Sequence, residues 1–135
     1  MHVRSEGNGK PITLVLTPGQ AAESQQMPAL MDSGAVKRSG RGRPRKRPRR
    51  IVGDRGYCGQ PVVQFLRRRG IRTTIPKRKN MNRQGPFNKE LYRRRNRVER
   101  LIGRFKQYRR IATRYEKRGE NYRAMWVLAS ILMWL

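Results

Sequence analysis

Tyr92, Arg95, Glu99 and Lys106 have types and spacing that could serve chemistry on a phosphate. At about 100° per residue, a helix would gather these four side chains into a sector of roughly 60°. One acid would then stand in line with a phenol and two cations. The bland alternative is a solvent face with an ordinary i,i+4 pair between Arg95 and Glu99, worth a few tenths of a kcal/mol. Composition argues against chance. Tyrosine occurs 5 times in 135 residues and Lys plus Arg 34 times, so a given Glu would meet this pattern about once in four hundred. A second acid, Asp54, closes the short apolar run Ile51-Val52-Gly53. The C-terminal end of a strand is where α/β sheets usually present ligand-binding groups. Cys58 is the only cysteine and His2 the only histidine, so neither an internal disulfide nor a Cys/His zinc cluster is possible. Any metal must therefore sit on carboxylates, whose hard oxygens suit Mg²⁺ or Mn²⁺.

The elements that would position these residues follow from local pattern. Residues 2–16 read as a strand hairpin turned at Gly7-Asn8-Gly9, where Gly and Asn tolerate positive φ. Thr17-Pro18-Gly19 stops the second strand, and a helix is expected over 21–31. Ile51 to Asp54 is a strand, 59–69 a helix ended by Gly70, and Arg72 to Ile75 another strand ended by Pro76. Residues 77–87 read as a second basic loop. Asn88 is a candidate N-cap for one long helix over 88–117 carrying Glu99. Its core-facing stripe would be Leu91, Val98, Leu101, Phe105, Tyr108 and Ala112. Arg118-Gly119 breaks it, and an apolar helix follows from about Asn121. The run Ala124–Leu135 is too short to span a bilayer and reads as a buried helix. The order of elements predicts a mixed α/β fold in one domain, 1–135.

Charge defines the partner. The net charge of +26, with 34 basic residues against 8 acids, calls for a polyanion, and nucleic acid is the default. The densest run, residues 36–50 (VKRSGRGRPRKRPRR), lacks the apolar content to order itself and is expected as a flexible loop. Its Arg43, Arg45, Lys46 and Arg47 read as a strap on phosphates rather than as a merely solvated linker. No signal-like or membrane-spanning segment is seen, and a cytoplasmic, nucleoid-associated protein is expected.

The spacing Tyr92-x2-Arg95-x3-Glu99-x6-Lys106 resembles the Y-R-E-K signature of insertion-sequence transposases of the IS-four-like and IS-five-like groups. LTPGQ at 16–20, GDRGY at 53–57, RRGIRTTIPKR at 68–78, RNRVERLIGRFKQYRRIATRYEK at 95–117 and the apolar ending are similar to the IS-five-like group of DDE transposases. The resemblance implies an RNase H-like fold whose three carboxylates bind two divalent metals. Asp54 would be the second acid and Glu99 the third. Tyr92, Arg95 and Lys106 would contact DNA phosphates near the transposon end. Two metals roughly 4 Å apart activate a water or 3′-hydroxyl and stabilise the leaving oxygen of a phosphodiester.

The family's first Asp lies on the first, central strand of the sheet, upstream of the segment resembling His2 to Leu16. No Asp precedes Asp32, and Asp32 follows the helix rather than ending a strand. Neither Asp32 nor Glu6 is assigned the missing role. The expectation is therefore a partial RNase H-like fold lacking its first strand. Such a chain would bind DNA and cut or join it only when completed by an upstream segment bearing the first Asp; a homodimer and the upstream-frame transposase segment are the expected protein partners. The alternatives are a non-catalytic basic nucleic-acid-binding protein and a regulatory or decayed transposase fragment.

Overall fold

The computed structural model describes residues 1–82 and 86–135. Arg83, Gln84 and Gly85, part of the expected second basic loop, lie outside the described residues. The chain forms two compact units, Met1–Gln20 with Asn96–Leu135, and Ala21–Arg95. The architecture is mixed α/β with two small sheets and several helices.

In the first unit, β1 (His2–Ser5) pairs antiparallel with β2 (Pro11–Val15), Val3 opposite Leu14 and Arg4 opposite Thr13. The turn is built as the glycines suggested. Gly9 adopts φ +88°, a region that costs an L side chain dearly. Glu6 serves this turn, its Oε1 accepting the Asn8 and Lys10 amides at 2.8 and 3.0 Å. Arg97 donates to the Gly7 carbonyl, and a Cβ at Gly9 would sit 3.4 Å from the Arg97 Cβ, so the hairpin and the helix bearing Arg97 fit closely there.

Three helices complete this unit: α4 (Asn96–Lys106), α5 (Arg109–Thr113) and α6 (Gly119–Leu132). Leu101, Phe105, Ile111, Trp126 and Ala129 form its core, with Val3 and Leu14 of the hairpin packed against them. The Phe105 and Trp126 rings meet at 4.4 Å. Trp134 ties the C-terminus to the hairpin, its Nε1 donating to the Pro11 carbonyl at 2.7 Å.

The stretch 88–117, expected as one long helix, is three helices. The first, α3 (Lys89–Arg93), belongs to the second unit. Its end is tightened by the Arg94 and Arg95 amides donating three residues back, to Leu91 and Tyr92, where three arginines stand in a row. The second break, at Gln107–Tyr108, again uses bonds three residues back, and Tyr108 takes an extended backbone as N-cap of α5. This break turns Ile111 into the core. Tyr108 and Ala112, expected on the apolar stripe, are exposed. The apolar C-terminal run also departs from expectation. Trp126 and Ala129 are buried, but Val127, Leu128, Ile131 and Leu132 are exposed.

In the second unit, β3 (Arg50–Val52) and β4 (Arg72–Thr74) pair in parallel, with α2 (Gln60–Arg68) in the connection between them. A parallel pair needs such a crossover. Arg50 reinforces the pairing by donating to the Thr74 hydroxyl at 2.9 Å. Helix α2 ends as its glycine implied. Gly70 has φ +69°, its amide donates to Arg67, and the Ile71 amide donates to Leu66. That is a Schellman ending, whose apolar contact is supplied by buried Leu66 and Ile71. The helix expected over 21–31 is a 3-10 turn, Glu23–Gln26, followed by α1 (Met27–Asp32) with Pro28 in its first turn. Asp32 pairs with Arg69 at 2.6 Å, an exposed structural link.

Candidate active site

Asp54 sits just past β3, and the sequence GDRGY builds the turn around it. Gly53 is small because a Cβ there would lie 3.2 Å from the Ile75 side chain and 3.8 Å from the Tyr57 ring. Asp54 caps the 3-10 turn Arg55–Tyr57, its Oδ1 accepting the Gly56 amide at 2.6 Å. A charged acceptor on a backbone amide is among the stronger caps. One carboxylate oxygen is thereby committed to the backbone. The other, Oδ2, stands 4.0 Å from Arg95 Nη1 on a side chain 46% exposed. The turn holds the acid's orientation, with its second oxygen beside Arg95.

Gly56 reveals a neighbour that spacing did not suggest. A Cβ at Gly56 would fall 1.5 Å from the Glu23 Oε2 and 3.1 Å from the Asp54 Oδ1. The Glu23 carboxylate thus occupies the space a side chain at 56 would need, beside Asp54. Glu23 lies on the 3-10 turn before α1, thirty-one positions away in the chain, so no local pattern points to it. Tyr57 records the same crowding. Burial first, then the charges of Glu23 and Asp54, raise its phenol well above the ordinary tyrosine value.

Arg95 and Tyr92 join this site within the same unit. The Arg95 guanidinium lies 5.4 Å from the Tyr92 ring centroid, and Phe87 packs on that ring at 5.3 Å. Asn88 caps α3 as expected, accepting the Leu91 amide at 2.9 Å. Three of the expected residues, Asp54, Tyr92 and Arg95, are therefore brought together. Glu99 and Lys106 belong to the other unit. Both lie exposed on α4, Glu99 in its first turn, where a negative charge suits the helix dipole. Leu101 and Phe105, fully buried, anchor the opposite side of that helix.

The basic segment is tied to itself and to β4: the Arg72 amide donates to the Arg49 carbonyl at 3.1 Å. Val36 and Arg45 exchange both backbone hydrogen bonds, at 2.9 and 2.8 Å, closing a loop whose residues 37–44 are exposed. Arg43 is on this loop and Arg45 at its base. Lys46 and Arg47 line a shallow groove with Asp32 and Arg69.

The donor chemistry fits a hard cation in type, since the oxygens beside Gly56 are carboxylates. It does not fit in number. Among the described residues, neither unit places three or more His, Cys, Asp or Glu side chains together to hold a metal ion.

Comparison with known proteins gives the class. The chain matches the transposase DDE domain over residues 1–134. The chain belongs to the DDE transposase family. It is 32% identical over 132 residues to a Burkholderia cepacia protein named as a transposase for insertion sequence element IS402. The match covers 98% of this chain and 60% of that relative, so the chain spans less than two thirds of the relative's length. No solved structure matches. Among the described residues, no helix is long and apolar enough to cross a membrane.

Proposed function

We propose that this chain is the C-terminal part of a transposase catalytic domain of the IS-five-like kind, acting on the DNA ends of an insertion sequence. Asp54 serves as the second acid and Glu99 as the third. The observation that carries the reading is the turn at 53–57. It locks one oxygen of Asp54 onto the Gly56 amide and leaves the other outward beside Arg95. The short parallel pair β3–β4 with its α2 crossover is the kind of support an RNase H-like sheet supplies.

In this reading, Asp54 and Glu99, with the first Asp, would hold a divalent cation, Mg²⁺ or Mn²⁺, whose chemistry would be to activate an oxygen nucleophile and neutralise a leaving oxygen. The chain's own residues hold and orient. Asp54 and Glu99 offer carboxylate oxygens. Arg95, stacked against Tyr92, presents a cation where a DNA phosphate would approach, and Lys106 adds a second. Arg43, Arg45, Lys46 and Arg47 contact DNA farther along the duplex. Since metal sites of this family take three acids, catalysis needs the first Asp from a further segment.

The test is metal-dependent cleavage of a DNA end by the chain alone and by the chain joined to a segment bearing the first Asp. Cleavage by the joined form alone, abolished by Asp54→Asn or Glu99→Gln with folding intact, supports the reading. Cleavage that survives both substitutions contradicts the assignment. DNA binding without cleavage in either form favours a non-catalytic or regulatory DNA-binding role.

A further inference from the structure

Residues 37–44 have an order that phosphate contact alone does not require: Lys37-Arg38-Ser39-Gly40-Arg41-Gly42-Arg43-Pro44. The paired backbone of Val36 and Arg45 fixes where this loop leaves and rejoins the chain. All eight residues are exposed, and no acid occurs from Ser33 to Gly53. The glycines are informative because packing does not explain them. A Cβ at Gly40 would meet nothing within 4 Å, and one at Gly42 only the flexible Arg38 side chain at 3.8 Å. Gly42 does adopt φ +128°, a backbone setting that disfavours an L side chain. Pro44 then stiffens the chain at the base of the loop and removes an amide.

The loop is thus thin at its crown, with long cations on either side of a residue that has no side chain. Three DNA surfaces can be compared with that shape. The phosphate backbone accepts any basic sequence and gains nothing from bare glycine positions. The major groove, about 12 Å wide, is filled by a helix or a two-stranded ribbon. The minor groove, about 6 Å wide, admits a single thin chain. Its floor offers only acceptors at A·T pairs, adenine N3 and thymine O2, whereas guanine adds a protruding amino group. Runs of A·T also narrow the groove and deepen its negative potential, which draws arginine in.

We infer that Arg41-Gly42-Arg43-Pro44 inserts into the minor groove of A/T-rich DNA. The Arg41 and Arg43 guanidiniums donate to adenine N3 and thymine O2, and Gly42 keeps the backbone close to the groove floor. Arg47 and Arg49, past the base of the loop, lie against the flanking phosphates. This inference rests on the DNA-binding reading above and gives it a sequence preference that the acids do not carry.

The experiment is fluorescence anisotropy of the whole chain on two duplexes of equal length near physiological salt. One has a central AATT run, and the other carries G·C pairs in its place. The variants Arg43→Lys, which keeps the charge, and Gly42→Val are compared, with circular dichroism confirming that each is folded. Wild type is expected to prefer the A/T duplex about tenfold, in the range one or two discriminated base pairs supply. Both variants should bring the ratio close to one while leaving the salt dependence nearly unchanged. Netropsin, which fills the A/T minor groove, should remove the preference in wild type. Equal binding of both duplexes, or a preference that survives Arg43→Lys and Gly42→Val, overturns the inference and leaves DNA binding standing. No binding to either duplex at any salt overturns the DNA reading itself, and the inference with it.

Discussion

Asp54 and Glu99 rest on two different kinds of support. Asp54 stands on a turn in which nearly every neighbour is prescribed: Gly53 by the Ile75 side chain, Gly56 by the Glu23 carboxylate, the acid itself by the Gly56 amide. Glu99 stands on the exposed face of an ordinary helix, held in place from behind by buried Leu101 and Phe105. An acid on a turn is oriented by its own hydrogen bond. An acid on a helix is oriented by packing on the far side. The two should therefore fail in different ways when disturbed.

The largest effect is expected behind the helix. Phe105 is fully buried against Trp126, so Phe105→Ala should cost about 3–5 kcal/mol of stability in denaturant unfolding. A loss under 1 kcal/mol would show that α4 is not positioned by this core. Next comes the cap. Asp54→Ala removes the acceptor for the Gly56 amide and should cost about 1 kcal/mol, while Asp54→Asn, also a good cap, should keep most of that stability. At position 99 the same contrast should nearly vanish. Glu99→Ala and Glu99→Gln should both stay within about 1 kcal/mol of wild type, the scale of a charge near a helix N-terminus. Equal costs for Ala and Asn at position 54 would break the comparison.

This contrast also explains what could be read from the chain beforehand. Asp54 was legible because an apolar run, two glycines and an acid are a local pattern, and local patterns build turns. Glu99 was singled out by its spacing to Tyr92, Arg95 and Lys106 on one continuous helix, which the chain does not form. The breaks at Arg94 and Gln107 were not. Apolar residues continue at helical intervals through 105 and 108, and only the packing of Ile111 on Phe105 and Trp126 decides that the helix turns there. Glu23 was invisible for a related reason. Its place beside Asp54 depends on two 3-10 turns meeting within the second unit, far apart in the chain.

The smallest effect concerns Tyr57. Its phenol is raised by burial and by the charges of Glu23 and Asp54. The unfolded chain would release this proton near pH 10, the folded chain only at higher pH. The stabilising contribution is therefore whole below about pH 10 and declines as pH rises above it. Absorbance titration should show a phenol component ionising well above the ordinary tyrosine value, and Tyr57→Phe should remove it. If Tyr57→Phe removes no late-ionising component, the crowding around Asp54 is not as described.

The proposed function has these two differently supported acids serve one metal, and binding of Mn²⁺ to the whole chain tests that proposal most directly. Substoichiometric Mn²⁺ should broaden the amide NMR signals of residues 53–57 and 97–101 together. Asp54→Asn or Glu99→Gln should each weaken the broadening at both segments, with the fold preserved. Broadening confined to one segment, or broadening at 97–101 that Asp54→Asn leaves unchanged, would contradict the account.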